Sequence, residues 1–147
     1  MFPLLQSVSI PPNGARKHDN GETGLGNLKV VLKSGDEIFL NGANVSVDRK
    51  VSLELLNRTK FILKDHMISP EEADTPLKKL YFAIQLMIVD PASLTHSKAL
   101  FADLYQSSLA SNSDPVFRRL LIKINDHVQN DREFHALKVI RNRLLDA

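Results

Sequence analysis

The sequence predicts an α+β fold, with a small N-terminal antiparallel β lobe of about five short strands followed by a C-terminal helical lobe of about four helices. Three observations lead there. Between Leu28 and Leu63 the apolar residues fall in short runs, several of them alternating with polar ones, the period of an extended chain. After His66 they recur every three or four residues, the period of an amphipathic helix. Turn and cap residues stand at nearly every boundary between the runs.

Residues 1–26 hold Pro3, Pro11, Pro12 and four glycines with no period of either kind, and read as a flexible extension. Leu28, Val30 and Leu32 then share one side of a first strand, and Ser34-Gly35-Asp36 supplies a turn. A hairpin returning through Glu37-Ile38-Phe39-Leu40 is expected there. Asn41-Gly42 follows, the dipeptide best suited to the positive φ angles of a type I′ turn, and a third strand from Asn44 to Val47 should pair back. Val51, Leu53 and Leu55 alternate again, and Phe61-Ile62-Leu63 completes the β lobe of residues 27–64. The helical lobe, residues 65–147, opens at Ser69-Pro70-Glu71-Glu72, a capping box with proline at the first helical position. Thr75-Pro76, Asp90-Pro91 and Asp114-Pro115 repeat the device of cap followed by proline, and Gln129-Asn130-Asp131 breaks the last two helices. The helix after Thr75 carries Leu77, Leu80, Tyr81, Ile84, Met87 and Ile88 on one stripe, with Phe82, Leu86 and Val89 widening it. Such a helix is either central or a dimer contact. Val116, Phe117, Leu120, Leu121, Ile124 and Val128, then Phe134, Leu137, Ile140 and Leu144, form the inward stripes of the final pair. Residues 27–147 are expected to be one compact unit.

A chain of 147 residues, 43% hydrophobic and 24% charged, suits one globular domain. The absence of cysteine excludes disulfides and thiolate chemistry and fits a cytoplasmic setting. The opening Met1-Phe2-Pro3-Leu4-Leu5 lacks the basic and sustained apolar regions of a signal peptide. The apolar run Leu80 to Val89 is about half the length a bilayer requires, so no membrane partner is expected. The formal net charge of +2 is unevenly distributed. Residues 28–64 and 115–147 each carry seven basic and four acidic residues, flanking residues 65–114 with three basic and seven acidic. Two basic ends around an acidic middle suit either an anionic polymer or an electrostatic match within or between chains.

Catalytic chemistry finds no footing. His127 and His135 are eight apart, but the break between them spoils the helical register and no third ligand of matching spacing is present, so no metal is expected. Glu71, Glu72 and Asp74 stand at a helix start, where the dipole favours negative charge. The glycines of residues 21–26 lack the Gly-Lys-Ser/Thr ending of a phosphate loop, and no serine sits in a nucleophile elbow. Neither enzyme activity nor a cofactor is expected. Binding has more support. Arg49, Lys50, Arg58, Lys60 and Lys64 fall on the connections and edge of the β lobe near Phe39 and Phe61, and cations beside rings on a small sheet are one way single-stranded RNA is held. Core packing is the ordinary explanation of those rings. A second basic group, Arg118, Arg119, Lys123, Arg132, Lys138, Arg141 and Arg143, lies on the outer faces of two amphipathic helices, where a solvated surface is the ordinary explanation.

The segment Leu32-Lys33-Ser34-Gly35-Asp36-Glu37-Ile38-Phe39-Leu40-Asn41-Gly42-Ala43, with Val47-Asp48-Arg49-Lys50-Val51 and Leu53-Glu54-Leu55-Leu56, resembles the N-terminal β region of the FlbT family. Thr75-Pro76-Leu77, Leu80-Tyr81-Phe82, Gln85 and Asp90-Pro91 are similar to that family's first long helix and its exit. The likeness runs from about Leu28 to the last helix and leaves the first 26 residues outside. It implies a post-transcriptional regulator of flagellum biogenesis, associated with the 5′ untranslated region of flagellin mRNA and usually lowering flagellin synthesis through message degradation, with some members acting positively. It also implies a functional link to a FlaF-like flagellar regulator. The alternative is a protein-interaction module of flagellin translation or secretion. In that reading FlaF or flagellin binds the helical lobe through Tyr81, Phe82 and Gln85, on the helix that could also close a homodimer. A more distant likeness, through Gly35-Asp36-Glu37-Ile38 and Asn41-Gly42, is to the carbon storage regulator proteins, small β-strand RNA binders. It implies that the β lobe contacts RNA and that Arg49 and Lys50 neutralise phosphates.

Overall fold

The computed structural model describes residues 28–146, so the extension expected over residues 1–26 lies outside the described residues. Five strands precede four helices, as the sequence predicts: β1 Leu28–Leu32, β2 Glu37–Leu40, β3 Ala43–Ser46, β4 Val51–Leu55, β5 Phe61–Leu63, α1 Pro76–Val89, α2 Leu94–Ser111, α3 Pro115–Gln129 and α4 Glu133–Asp146. The described chain divides into two compact units, one of residues 28–36 and 47–59, the other of residues 37–46 and 60–146.

The first unit is a two-stranded ribbon. β1 pairs antiparallel with β4, from Leu28 opposite Leu55 to Leu32 opposite Val51. The period-2 pattern holds on β1, where Val30 and Leu32 are buried while Lys29 and Val31 are exposed. The expected hairpin between β1 and β2 does not form, because the turn between them has the wrong hand. Asp36 N–H donates to the Lys33 carbonyl at 2.9 Å, with positive φ (86°) at Gly35 alone. That is the pattern of a type II turn, which splays flanking strands where the primed turns would align them. The Asp36 carboxylate fixes the turn by accepting from Lys33 N–H at 2.8 Å. Pairing then passes to the returning chain, through Gly35 N–H to the Val47 carbonyl (2.8 Å) and Val47 N–H to the Asp36 carbonyl (3.3 Å).

The second unit begins with the hairpin whose chemistry was the clearest in the sequence. Asn41 and Gly42 both have positive φ, 49° and 88°, as a type I′ turn requires, and place Leu40 opposite Ala43. β2 pairs on its other side with β5, so the sheet order is β3-β2-β5. Gly42 is fixed twice over. Besides its φ, a Cβ there would stand 2.8 Å from Cδ of Pro91, at the corner between α1 and α2.

Proline and cap chemistry sets the starts of α1 and α3, whereas Asp90-Pro91 opens only the 3-10 turn Pro91–Ser93, without a side-chain cap bond, ahead of α2. The Thr75 hydroxyl accepts from Lys78 N–H at 3.2 Å and the Asp114 carboxylate from Val116 N–H at 3.1 Å, each ahead of a proline at the first helical position. The box at Ser69 starts only a single 3-10 turn, Pro70–Glu72, although Glu72 does accept from Ser69 N–H at 2.7 Å. Thr75, preceding Pro76, is held extended at φ −127° and ψ 163°, so the first helix waits for Pro76. α1 is the centre of the unit: Leu80, Ile84, Met87 and Ile88 have no exposed surface, and the helix packs against α2, α4, β2 and β5. Each such side chain contributes about 1.5–3 kcal/mol by burial, and truncating Ile84 to alanine would cost about 2–5 kcal/mol. Leu121, Ile124 and Val128 of α3 and Ala136, Leu137 and Ile140 of α4 complete the core with Phe101 of α2. Val116, expected on the inward stripe of α3, is instead 54% exposed at the helix's first turn. Among the described residues no helix is long and apolar enough to cross a membrane.

Candidate functional site

The five cations expected to bind RNA are divided between the units. Arg49, Lys50 and Arg58 belong to the ribbon unit, and Lys60 and Lys64 to the helical one. Several of them already have carboxylates. Arg49 Nε lies 3.2 Å from the neighbouring Asp48 carboxylate, and the guanidinium holds that carboxyl below the usual carboxylate range. Lys64 Nζ is 3.6 Å from Glu37. Lys60, on the approach to β5, donates to Glu133 at 2.9 Å and lies 3.8 Å from Asp131. The Glu133 side chain is only 1% exposed, so this pair joins β5 to the start of α4 as a structural clamp. The rings follow the ordinary explanation. Phe61 is buried and stacks on Phe134 at 4.6 Å, so it offers no open face for a base, and Phe39 is half-buried against the core.

On α1, Tyr81 and Gln85 are committed internally. The Tyr81 hydroxyl donates to the His66 carbonyl at 2.6 Å and accepts from Arg141 Nη1 at 3.3 Å, and burial pushes its pKa up. The Gln85 amide bonds both ways to the Ile68 backbone, accepting at 2.8 Å and donating at 2.9 Å. Together they dock the connector between β5 and α1. Phe82 is half-buried, as is Leu86 one turn later, and both stand outside the main core cluster.

The second basic group is arranged differently. The short turn at residues 130–132 folds α4 back along α3, so that His127 meets His135 near the turn (ring centroids 5.7 Å) and Phe117 meets Arg143 at the far end (6.0 Å). Residues 116–123 thus lie beside residues 138–145. These stretches contain Arg118, Arg119, Lys123, Lys138, Arg141 and Arg143, and no acidic residue. Arg118 is anchored by donating to the Leu109 and Asn112 carbonyls at the end of α2. Arg119, Lys123 and Lys138 are exposed, and among the described residues no carboxylate stands within ion-pair distance of them. The sequence places this basic group on the outer faces of two helices; the absence of acids from the two stretches becomes a surface property once the helices are side by side. His127 feels the field. Burial first, then Arg132, His135 and Lys123, hold its pKa below the usual imidazole value, with Asp126 opposing. Its Nδ1 has no hydrogen-bond partner. No cluster of three or more potential metal ligands occurs among the described residues.

Comparison with known proteins agrees with this frame. The family described as "Flagellar protein FlbT" matches residues 28–146. A relative from Brucella ovis, "Probable flagellum biosynthesis repressor protein FlbT", is 42% identical over 114 residues, covering 78% of this chain and 75% of its own. Relatives of the same description from Brucella abortus and Brucella anthropi are 42% and 40% identical over the same shares. No solved structure matches. The matched residues include every strand and helix described above, and the chain belongs to the FlbT family of flagellar proteins.

Proposed function

We propose that this chain is a cytoplasmic, non-catalytic repressor of flagellin synthesis that associates with the 5′ untranslated region of flagellin mRNA and promotes degradation of the message. Two things support the reading: the repressor description carried by its relatives, and a positive surface without acids on the described residues, of the kind a polyanion neutralises. The observation that carries the RNA step is the second, since Arg119, Lys123 and Lys138 are exposed without carboxylate partners. The test is binding of the purified chain to labelled flagellin 5′ untranslated RNA across a salt series, beside the half-life of that message in cells with and without the protein. Salt-sensitive binding and a shorter half-life with the protein present are expected. Equal affinity for an unrelated RNA of the same length would remove the message-specific step.

A second reading, a protein-interaction module acting in flagellin translation or secretion, is favoured by Phe82 and Leu86, an i, i+4 apolar pair outside the core cluster. A FlaF-like regulator, flagellin or a second copy of this chain would dock there. In that case Phe82→Ala abolishes co-purification with the partner and leaves RNA binding unchanged.

A further inference from the structure

We infer that the paired stretches 116–123 and 138–145 of α3 and α4 form the RNA-contacting surface, with Arg119, Lys123 and Lys138 as its phosphate contacts. The inference rests on the RNA-binding reading above and assigns it to a face of the helical unit. Three features of the face carry it. It concentrates six cations with no acid in two adjacent helix stretches, the acids that bound the α3 stretch being Asp114 and Asp126. Three of those cations contact uncharged groups: Arg118 backbone carbonyls, Arg141 the Tyr81 hydroxyl and Arg143 the Phe117 ring. None of these contacts brings a carboxylate to the cation, so the three add to the positive field of the face. The other three are exposed, with Arg119 and Lys123 one helical turn apart on the same side of α3.

The face favours a ligand with charge repeated along its length over a folded protein partner. Its exposed apolar residues are Val116, Ile122 and Leu145, all aliphatic. Val116 and Ile122 are six positions apart, about 120° around the helix and so not on one narrow stripe, and Leu145 stands beside Val116 at one end of the pair. An amphipathic helix would therefore find no apolar seam to bury, and scattered single aliphatics are ordinary on a surface. What the face offers continuously is positive charge. With no aromatic ring exposed there, contact with RNA would be to the backbone, and affinity would follow counterion release.

The experiment compares the full chain with Arg119→Gln/Lys123→Gln/Lys138→Gln in titrations of flagellin 5′ untranslated RNA at several salt concentrations. Glutamine suits exposed helix positions, and an unchanged unfolding midpoint confirms that the fold is kept. The expected result is an affinity loss of at least about tenfold near 0.1 M salt, with the slope of log K against log salt shallower by about 2, three single-strand phosphate contacts being removed. Lys79→Gln/Lys98→Gln, which removes two exposed lysines of the acidic middle segment, should change neither quantity by a comparable amount. If wild type binds and the triple variant binds equally, the surface assignment is overturned. A loss confined to Arg49→Gln/Lys50→Gln would also overturn it and return the contact to the ribbon unit. If wild type binds no RNA but captures an acidic protein through this face, the RNA-binding reading itself fails.

Discussion

Residues 28–64 and residues 115–147 start from the same inventory, seven basic and four acidic residues each. In the first segment Arg49, Lys60 and Lys64 stand beside carboxylates. In the second, two of the four acids, Asp131 and Glu133, turn to Lys60 of the first. Arg118, Arg141 and Arg143 meanwhile contact two carbonyls, a hydroxyl and a ring. Equal net charges thus become unequal fields: the strand segment is neutralised partly at the expense of acids from the helix segment, which is left more positive than its own composition says. A charge count along a chain measures what is available, and packing decides which groups cancel.

The sharpest way to break this comparison is at Lys60. Lys60→Ala leaves Glu133 buried without its cation, and a loss of about 2–3 kcal/mol is expected in urea unfolding, toward the low side for a buried pair because Lys60 is 25% exposed. Lys50→Ala, at an exposed position of the same basic set, should stay within about 0.5 kcal/mol. Lys60→Met/Glu133→Leu should recover most of the loss, since well-packed apolar pairs replace buried ion pairs at little cost. Equal costs for Lys60→Ala and Lys50→Ala would mean that Lys60 is a surface cation after all.

The turns of the two units offer the next contrast. Gly35 and Gly42 have nearly the same φ, 86° and 88°, but a Cβ at Gly35 meets nothing within 4 Å while one at Gly42 meets Pro91 at 2.8 Å. Gly35→Ala should cost about 1 kcal/mol from backbone conformation alone, and Gly42→Ala about 2–3 kcal/mol once the clash is added. Thermal unfolding of the two variants isolates the contact of the β2–β3 hairpin with the corner between α1 and α2.

Legibility in the sequence followed the range of the interaction. Strand positions, the type I′ turn at Asn41-Gly42 and the caps at Thr75 and Asp114 all depend on residues a few places apart, and each could be read directly. The partner of β1 could not. A hairpin with β2 is the local expectation, and only the type II geometry at Gly35 diverts the pairing to β4, about twenty residues on. The candidate site was legible only in part, for the same reason: the basic group on the last two helices stands out in the sequence, but not which of its cations lack partners. Lys60 reads as an available cation until Glu133, 73 residues away, is found beside it. Arg119, Lys123 and Lys138 read as ordinary solvated positions until two acid-free stretches are laid together.

Within the helical face, anchored and exposed cations should separate by stability. Arg118→Ala removes charge-assisted hydrogen bonds to two carbonyls at the end of α2, and a loss of about 1 kcal/mol is expected for this half-buried group. Arg119→Ala, its exposed neighbour, should leave the unfolding free energy within about 0.5 kcal/mol while weakening RNA binding. A large stability cost at Arg119 would show that it too is held by the fold.

The smallest effect reports on the field itself. His127 is held below the ordinary imidazole value by burial and then by Arg132, His135 and Lys123. A depressed folded pKa means that the neutral ring is the form the fold favours. Its contribution to stability is therefore full above the unfolded value, near 6.5, and declines as pH falls through that value toward the folded one, because the unfolded chain takes up the proton first. His66, depressed by its own burial and by Arg141, adds to the decline in the same window. His127→Gln should flatten the acid limb of stability against pH without removing it. Lys123→Gln should raise the His127 pKa in an NMR titration of its ring protons, and added salt should raise it further by screening Arg132. The desolvation part, the largest cause, should persist in both cases. A His127 pKa that ignores both Lys123→Gln and salt would mean that burial alone sets it, and that the helix face carries less uncancelled charge than its composition and pairing imply.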